Sequence, residues 1–166
     1  MQNRNRGFTL IEMMIVVAVM SIILAMAVPS FRQAIENARL STQVNEFATA
    51  LTTARTEAIR TGGSVWLTAK DDDFNNGWCV RTSSDDCGTD DPADLLDHPA
   101  LDTQLVLSYP AAPETTSFAF NRLGALVTPG DATVIEIAPK GCEPGRAKRR
   151  IDINAIGRIS IERDDC

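Results

Sequence analysis

Gly7-Phe8-Thr9-Leu10-Ile11-Glu12 opens a run, residues 8–28, that is apolar except at Thr9, Glu12 and Ser21. At about 1.5 Å per residue the run makes a helix roughly 31 Å long, enough to cross a hydrocarbon core of about 30 Å. A carboxylate inside it costs on the order of 2.5–3.5 kcal/mol on insertion scales, less toward the end of the span. Glu12 therefore asks for a cationic partner. A cut after Gly7 would supply one, because the new amino terminus at Phe8 would lie about one helical turn from Glu12. The helix dipole favours a negative charge at that same end. Arg4 and Arg6 precede the run, so the positive-inside bias puts the amino terminus in the cytoplasm and the rest across the membrane. An ordinary secretory signal fits poorly: its apolar core is about 7–15 residues long and ends in a small-residue cleavage site. The one such stretch here, Ala25-Met26-Ala27, lies at the far end of the run. A plain single-pass anchor would leave Glu12 incidental.

After Pro29 the pattern stays helical and becomes amphipathic. Leu40, Val44, Phe47, Leu51, Ala54 and Ala58 fall at alternating steps of four and three, one stripe of a helix. Arg39, Gln43, Glu46, Arg55 and Arg60 occupy other positions, and Gly62-Gly63 supplies a stop. The spacing predicts a helix from Phe8 to Thr61, kinked or locally melted at Pro29. Beyond it come short β-branched or alternating runs punctuated by Pro and Gly: residues 64–69, 77–81, 105–109, 117–120, 125–127, 133–138, 150–153 and 159–161. The Asp-rich stretch Ser83–Asp102 reads as an irregular surface excursion. The expected fold is α+β, a long amino-terminal helix packed on a small antiparallel β-sheet head.

A short basic leader ending in Gly, then Phe-Thr-Leu-Ile-Glu and an apolar stretch, resembles the class III signal of type IV pilins and type II secretion pseudopilins. The resemblance implies that prepilin peptidase cuts between Gly7 and Phe8 and methylates Phe8, and that Glu12 aids subunit docking. Pro29 also stands where many family members carry proline. Residues 54–65, beginning Ala54-Arg55-Thr56-Glu57-Ala58-Ile59, and Gly77-Trp78-Cys79-Val80 are similar to segments of the GspH/FimT/FimU group of minor subunits. The implied organisation is a cleaved leader at 1–7, a transmembrane helix at 8–29, the amphipathic half of the same helix at 30–62, and a pilin-like head at 63–166. The implied role is a minor pilin or pseudopilin that primes or caps a filament. Its partners would be other major and minor subunits, the peptidase, an inner-membrane assembly platform and, before assembly, membrane lipid. It would begin as a single-pass inner-membrane protein with a periplasmic head.

Cys79, Cys87, Cys142 and Cys166 all lie beyond the span, in a compartment that would be oxidising. Four cysteines permit three connectivities. The expected one is Cys79–Cys87, closing a short loop, with Cys142–Cys166 tying down the carboxyl terminus. Zinc fits badly, since there is no CxxC pair and His98 is the single histidine. Asp71-Asp72-Asp73-Phe74-Asn75-Asn76 suggests calcium by its oxygen ligands. The EF-hand register fails, however, with Asn76 at position six and Thr82 at position twelve, so an acidic turn is preferred. His98 has no nucleophile placed beside it by spacing, and no phosphate loop occurs, so neither enzyme activity, nor a metal, nor a cofactor is expected.

The charges are unevenly distributed. Lys140, Arg146, Lys148, Arg149, Arg150, Arg158 and Arg163 crowd the carboxyl-terminal stretch, whereas residues 71–102 hold ten aspartates and one arginine. In FimT-type pilins a Gly-Arg-x-Arg motif carries DNA binding; here Gly157-Arg158-Ile159-Ser160 lacks the second arginine. The alternative function, a filament-tip DNA receptor, would rest on Arg158 with Arg146, Lys148, Arg149 and Arg150. A basic edge facing an acidic neighbouring subunit explains the same charges, and the formal charge of −6 argues against a general polyanion binder.

Overall fold

The structure, a computed structural model, describes residues 8–87, 94–110 and 115–166. Gly7 and the rest of the leader lie outside the described residues. The chain divides into two compact units, one ending at Asn37 and one running from Ala38 to Cys166.

Helix α1 (Leu10–Thr61) belongs to both units. In the first unit the apolar side chains of the helix, from Leu10 to Ile35, are exposed, as is Phe8 just before it. It is long and apolar enough to cross a membrane. The local melting expected at Pro29 is absent, because the helix is unbroken there. Proline withholds one N–H, and the loss of a single bond does not end a helix sustained on both sides.

In the second unit, α1 buries Leu40, Val44, Phe47, Ala48, Ala50, Leu51, Ala54 and Ala58, the predicted stripe plus two alanines beside it. The small residues at 54 and 58 let strands approach the helix closely. Phe47 is the centre of the core: its ring meets Phe74, Trp78 and Phe118 edge-on, with centroids 5.4, 5.0 and 6.4 Å away. Edge-to-face pairs of this kind add to the gain from burial.

The strands are β1 (Val65–Ala69), β2 (Trp78–Arg81), β3 (Asp94–His98), β4 (Leu105–Ser108), β5 (Ser117–Phe120), β6 (Leu126–Thr128), β7 (Thr133–Pro139), β8 (Ala147–Ile153) and β9 (Ile159–Asp165). They divide between two antiparallel sheets, where one was expected: β3-β2-β1-β5-β6 and β4-β7-β8-β9. The Leu126 N–H donates to the Ala155 carbonyl at 3.0 Å, joining an edge of the first sheet to the β8–β9 turn of the second.

Residues 88–93 lie outside the described residues, and at residues 94–98 strand β3 corrects the reading of Ser83–Asp102 as irregular. Its register on β2 rests on charge and stacking rather than on apolar alternation. Asp94 pairs with the buried Arg81, Asp97 takes Lys70 at 2.6 Å, and the His98 ring stacks on Trp78 at 4.0 Å. Strands β8 and β9 are also longer than predicted, because charged residues on their outward face continue the ladder.

Cys79–Cys87 and Cys142–Cys166 are both bonded, with Cα separations of 5.8 and 5.4 Å, inside the usual span. The first closes a loop of sequence separation 8, and loop-closure entropy assigns it about 2–3 kcal/mol. Removing it as the Cys79→Ala, Cys87→Ala pair should lower the urea midpoint of the head accordingly. An unchanged midpoint would refute that contribution.

Candidate assembly site

Any polar group in residues 8–28 must be satisfied from within the chain if that stretch sits in lipid, where an unpaired group costs several kcal/mol. Each of the three polar side chains there makes a hydrogen bond within the chain. The Glu12 N–H donates to Thr9 Oγ1 at 3.2 Å, and the Thr9 N–H donates back to Glu12 Oε2 at 3.4 Å. This is a reciprocal capping box on Thr9-x-x-Glu12, with Thr9 as the cap and Glu12 in the first turn. Further along, Ser21 Oγ donates to the Val17 carbonyl at 2.8 Å. The box went unnoticed in the sequence, although a Thr three residues before a Glu, ahead of an apolar run, is its recognised signature. Its consequence is positional. Glu12 Oε2 is held at the Thr9 N–H, one residue from the nitrogen of Phe8.

The basic residues of the head do not form one free patch. Lys148 Nζ is 3.1 and 3.0 Å from the two carboxylate oxygens of Glu136, and 3.7 Å from Asp164. The hydrogen bonds to Glu136 raise the ammonium above its usual pKa, opposed by desolvation and helped by the Glu136 and Asp164 charges. Arg150 donates Nε and Nη2 to Asp152 at 3.0 and 2.9 Å, which raises its pKa as well. Both stand in a checkerboard with Glu136 and Glu162, which flank Arg150 in the register. Arg149 lies on the opposite face of β8, beside the buried Ala147 and Ile151, with Nη2 3.5 Å from Ser41 Oγ on α1. Arg146 and Arg158 stand at opposite ends of β8, more than about 20 Å apart along the strand.

Gly157 has a structural task of its own. Its φ is +76°, and a Cβ there would lie 1.9 Å from the Gly124 carbonyl oxygen. Two turns meet at this point, and Arg55 clamps them. Its Nε donates to the Gly124 carbonyl at 2.9 Å and its Nη2 to the Ile156 carbonyl at 3.3 Å. The spacing of Arg55 among the polar residues of the helix gave no sign of this; the long-range partners are visible only in the fold.

His98 Nε2 lies 3.1 Å from Glu46 Oε2, and its Nδ1 2.7 Å from the Pro99 carbonyl oxygen, so it fastens β3 to α1. In the acidic turn, Asp73 Oδ1 accepts from the backbone and side-chain N–H groups of Asn75. Among the described residues no three His, Cys, Asp or Glu side chains are arranged to hold a metal.

Comparison with known proteins bears on both parts of the chain. Residues 2–28 match the model of the prokaryotic N-terminal methylation motif, and residues 43–157 match that of the type II transport protein GspH. A Fimbrial protein of Pseudomonas aeruginosa is 36% identical over 86 residues, 51% of this chain and 55% of that protein, so the match spans about half the relative's length. The fold is similar to the type IV minor pilin FimU of Pseudomonas aeruginosa, with TM-score 0.62 and 23% identity over 76% of this chain and 90% of that one. It is also similar to the minor pseudopilin EpsH from the type 2 secretion system of Vibrio cholerae, with TM-score 0.55 and 16% identity over 75% and 96% of the two chains. The methylation motif at one end and the GspH match over most of the rest make this chain a member of the GspH family of pilin-like proteins.

Proposed function

We propose that this chain is a minor subunit that primes or caps a type IV pilus or type II secretion pseudopilus. In this reading prepilin peptidase cuts between Gly7 and Phe8 and methylates Phe8. Residues 8–29 then anchor the subunit in the inner membrane, residues 30–62 carry the helix on, and residues 63–166 form the periplasmic head. The assembly platform draws the subunit from lipid into a bundle with other pilins or pseudopilins. The observation that carries this reading is the placement of Glu12. Its carboxylate is held at the Thr9 N–H, next to the nitrogen that becomes the amino terminus after cleavage. Glu12 therefore neutralises its own terminus in lipid, or a neighbour's in the filament.

The structural role is favoured over the DNA receptor because Lys148 and Arg150 already have carboxylate partners and Arg149 turns toward α1. The test is filament incorporation. Wild-type protein should be recovered in sheared filaments at a small fraction of the major subunit. Glu12→Ala should remain in the membrane fraction while its recovery in filaments falls about tenfold or more, as expected for an uncompensated amine among apolar helices. Equal incorporation of the two proteins would remove the role given to Glu12. A chain forming most of the filament mass would remove the minor assignment.

A further inference from the structure

The two turns clamped by Arg55 share a design. Asn121-Arg122-Leu123-Gly124 joins β5 to β6, and Asn154-Ala155-Ile156-Gly157 joins β8 to β9. In each, the glycine N–H donates to the asparagine carbonyl at 2.8 Å, and the glycine has φ near +75° (+73° and +76°). Asn121 Oδ1 accepts from the Leu123 and Ala125 N–H groups, and Asn154 Oδ1 accepts from the Arg158 N–H. The turns are thus pinned by Asn, Gly, Arg55 and the backbone, and the side chain at their third position takes no part in these bonds. A polar side chain would serve there. Both turns instead place a large aliphatic, with Leu123 76% and Ile156 68% exposed.

A third aliphatic joins them. A Cβ at Gly124 would lie 2.8 Å from Ile59 Cδ1, and Ile59 is itself 51% exposed. Single exposed apolar residues are ordinary, but three on converging, rigid backbones are not. Arg122 and Arg158 follow or precede these positions and are exposed, with no ion pair among the described residues, while the charge of Arg60 is already taken by Glu57. The result is an apolar centre with a positive edge, beside a depression lined by Gly62, Gly63, Ser64, Asn121, Arg122 and Leu123. Interfaces concentrate their energy in such a centre and take orientation and encounter rate from the charged rim. A preorganised backbone also lowers the ordering cost of binding.

We propose that Ile59, Leu123 and Ile156, edged by Arg122 and Arg158, dock the head of another filament subunit that presents an apolar patch rimmed by carboxylates. This rests on the filament reading above; what it adds is the surface and the chemistry of its partner.

The experiment uses the full chain in the cells that make it. Leu123→Glu with Ile156→Glu should cut recovery in sheared filaments roughly tenfold, while membrane level and melting temperature stay at wild-type values. Leu95→Glu, at an exposed aliphatic on β3, should change nothing. In a second arm a photoreactive aliphatic residue replaces Leu123. Its adduct should join a different filament subunit at an apolar residue flanked by Asp or Glu, and this arm decides the matter if the double variant loses its melting transition. Unchanged recovery of a folded double variant would overturn the proposal, as would adducts with lipid or nucleic acid alone, or no adduct at all. Wild-type protein in the membrane but absent from filaments would instead overturn the filament reading, and the docking surface with it.

Discussion

Phe47→Ala is expected to destabilise the head by about 3–5 kcal/mol, the cost of truncating a buried aromatic and leaving a cavity. A domain of this size has about 5–15 kcal/mol in all, so a substantial part of its stability would go. The reason lies in the position of the ring. Phe47 is fully buried, and its ring meets Phe74, Trp78 and Phe118 together. Its loss therefore loosens the helix from the turn before β2, from β2 and from β5 at once. Urea unfolding of the head followed by tryptophan fluorescence would read the shift. Thr49→Ala, on the exposed side of the same helix turn, should move the midpoint by less than about 0.5 kcal/mol. Equal effects at the two positions would show that the aromatic cluster is not the centre of the core.

Gly157→Ala is the second large effect. The left-handed backbone alone costs a non-glycine residue about 1–2 kcal/mol. Here the new Cβ would also lie 1.9 Å from the Gly124 oxygen, a contact that forces one turn off the other and pulls the Arg55 clamp apart. A total above about 3 kcal/mol follows. Gly141 is a built-in control, since it has φ +66° with nothing within 4 Å of an added Cβ. Gly141→Ala should therefore show the conformational cost alone, and the difference between the two variants measures the clash. The glycine of Gly157-Arg158 is thus required by packing, whatever Arg158 binds.

Those two residues mark where sequence reasoning succeeds and where it stops. The buried stripe containing Phe47 was legible because an amphipathic helix writes its contacts into a local period. The apolar run was legible in composition, and Cys79–Cys87 in a short spacing. Strand β3 was not, because Asp94-Leu95-Leu96-Asp97-His98 is held by Arg81, Lys70 and Trp78, all distant in sequence from the alternation that would betray a strand. The division into two sheets was hidden in the same way, since β4 pairs with β7 rather than with a neighbour in sequence. Arg55 looked like one more solvent-facing cation. Its hydrogen bonds to Gly124 and Ile156 span sequence separations of 69 and 101, and no local pattern records contacts at that range.

Phe8 is proposed to become the first residue of the working protein, with Glu12 Oε2 held at the neighbouring Thr9 N–H. The most direct measurement is the intact mass of the chain purified from its own membranes, with fragmentation of the amino-terminal peptide. A chain that begins at Phe8 and carries one added methyl group is the expected result. A chain that still begins at Met1, or one cut near Ala27, would contradict the account.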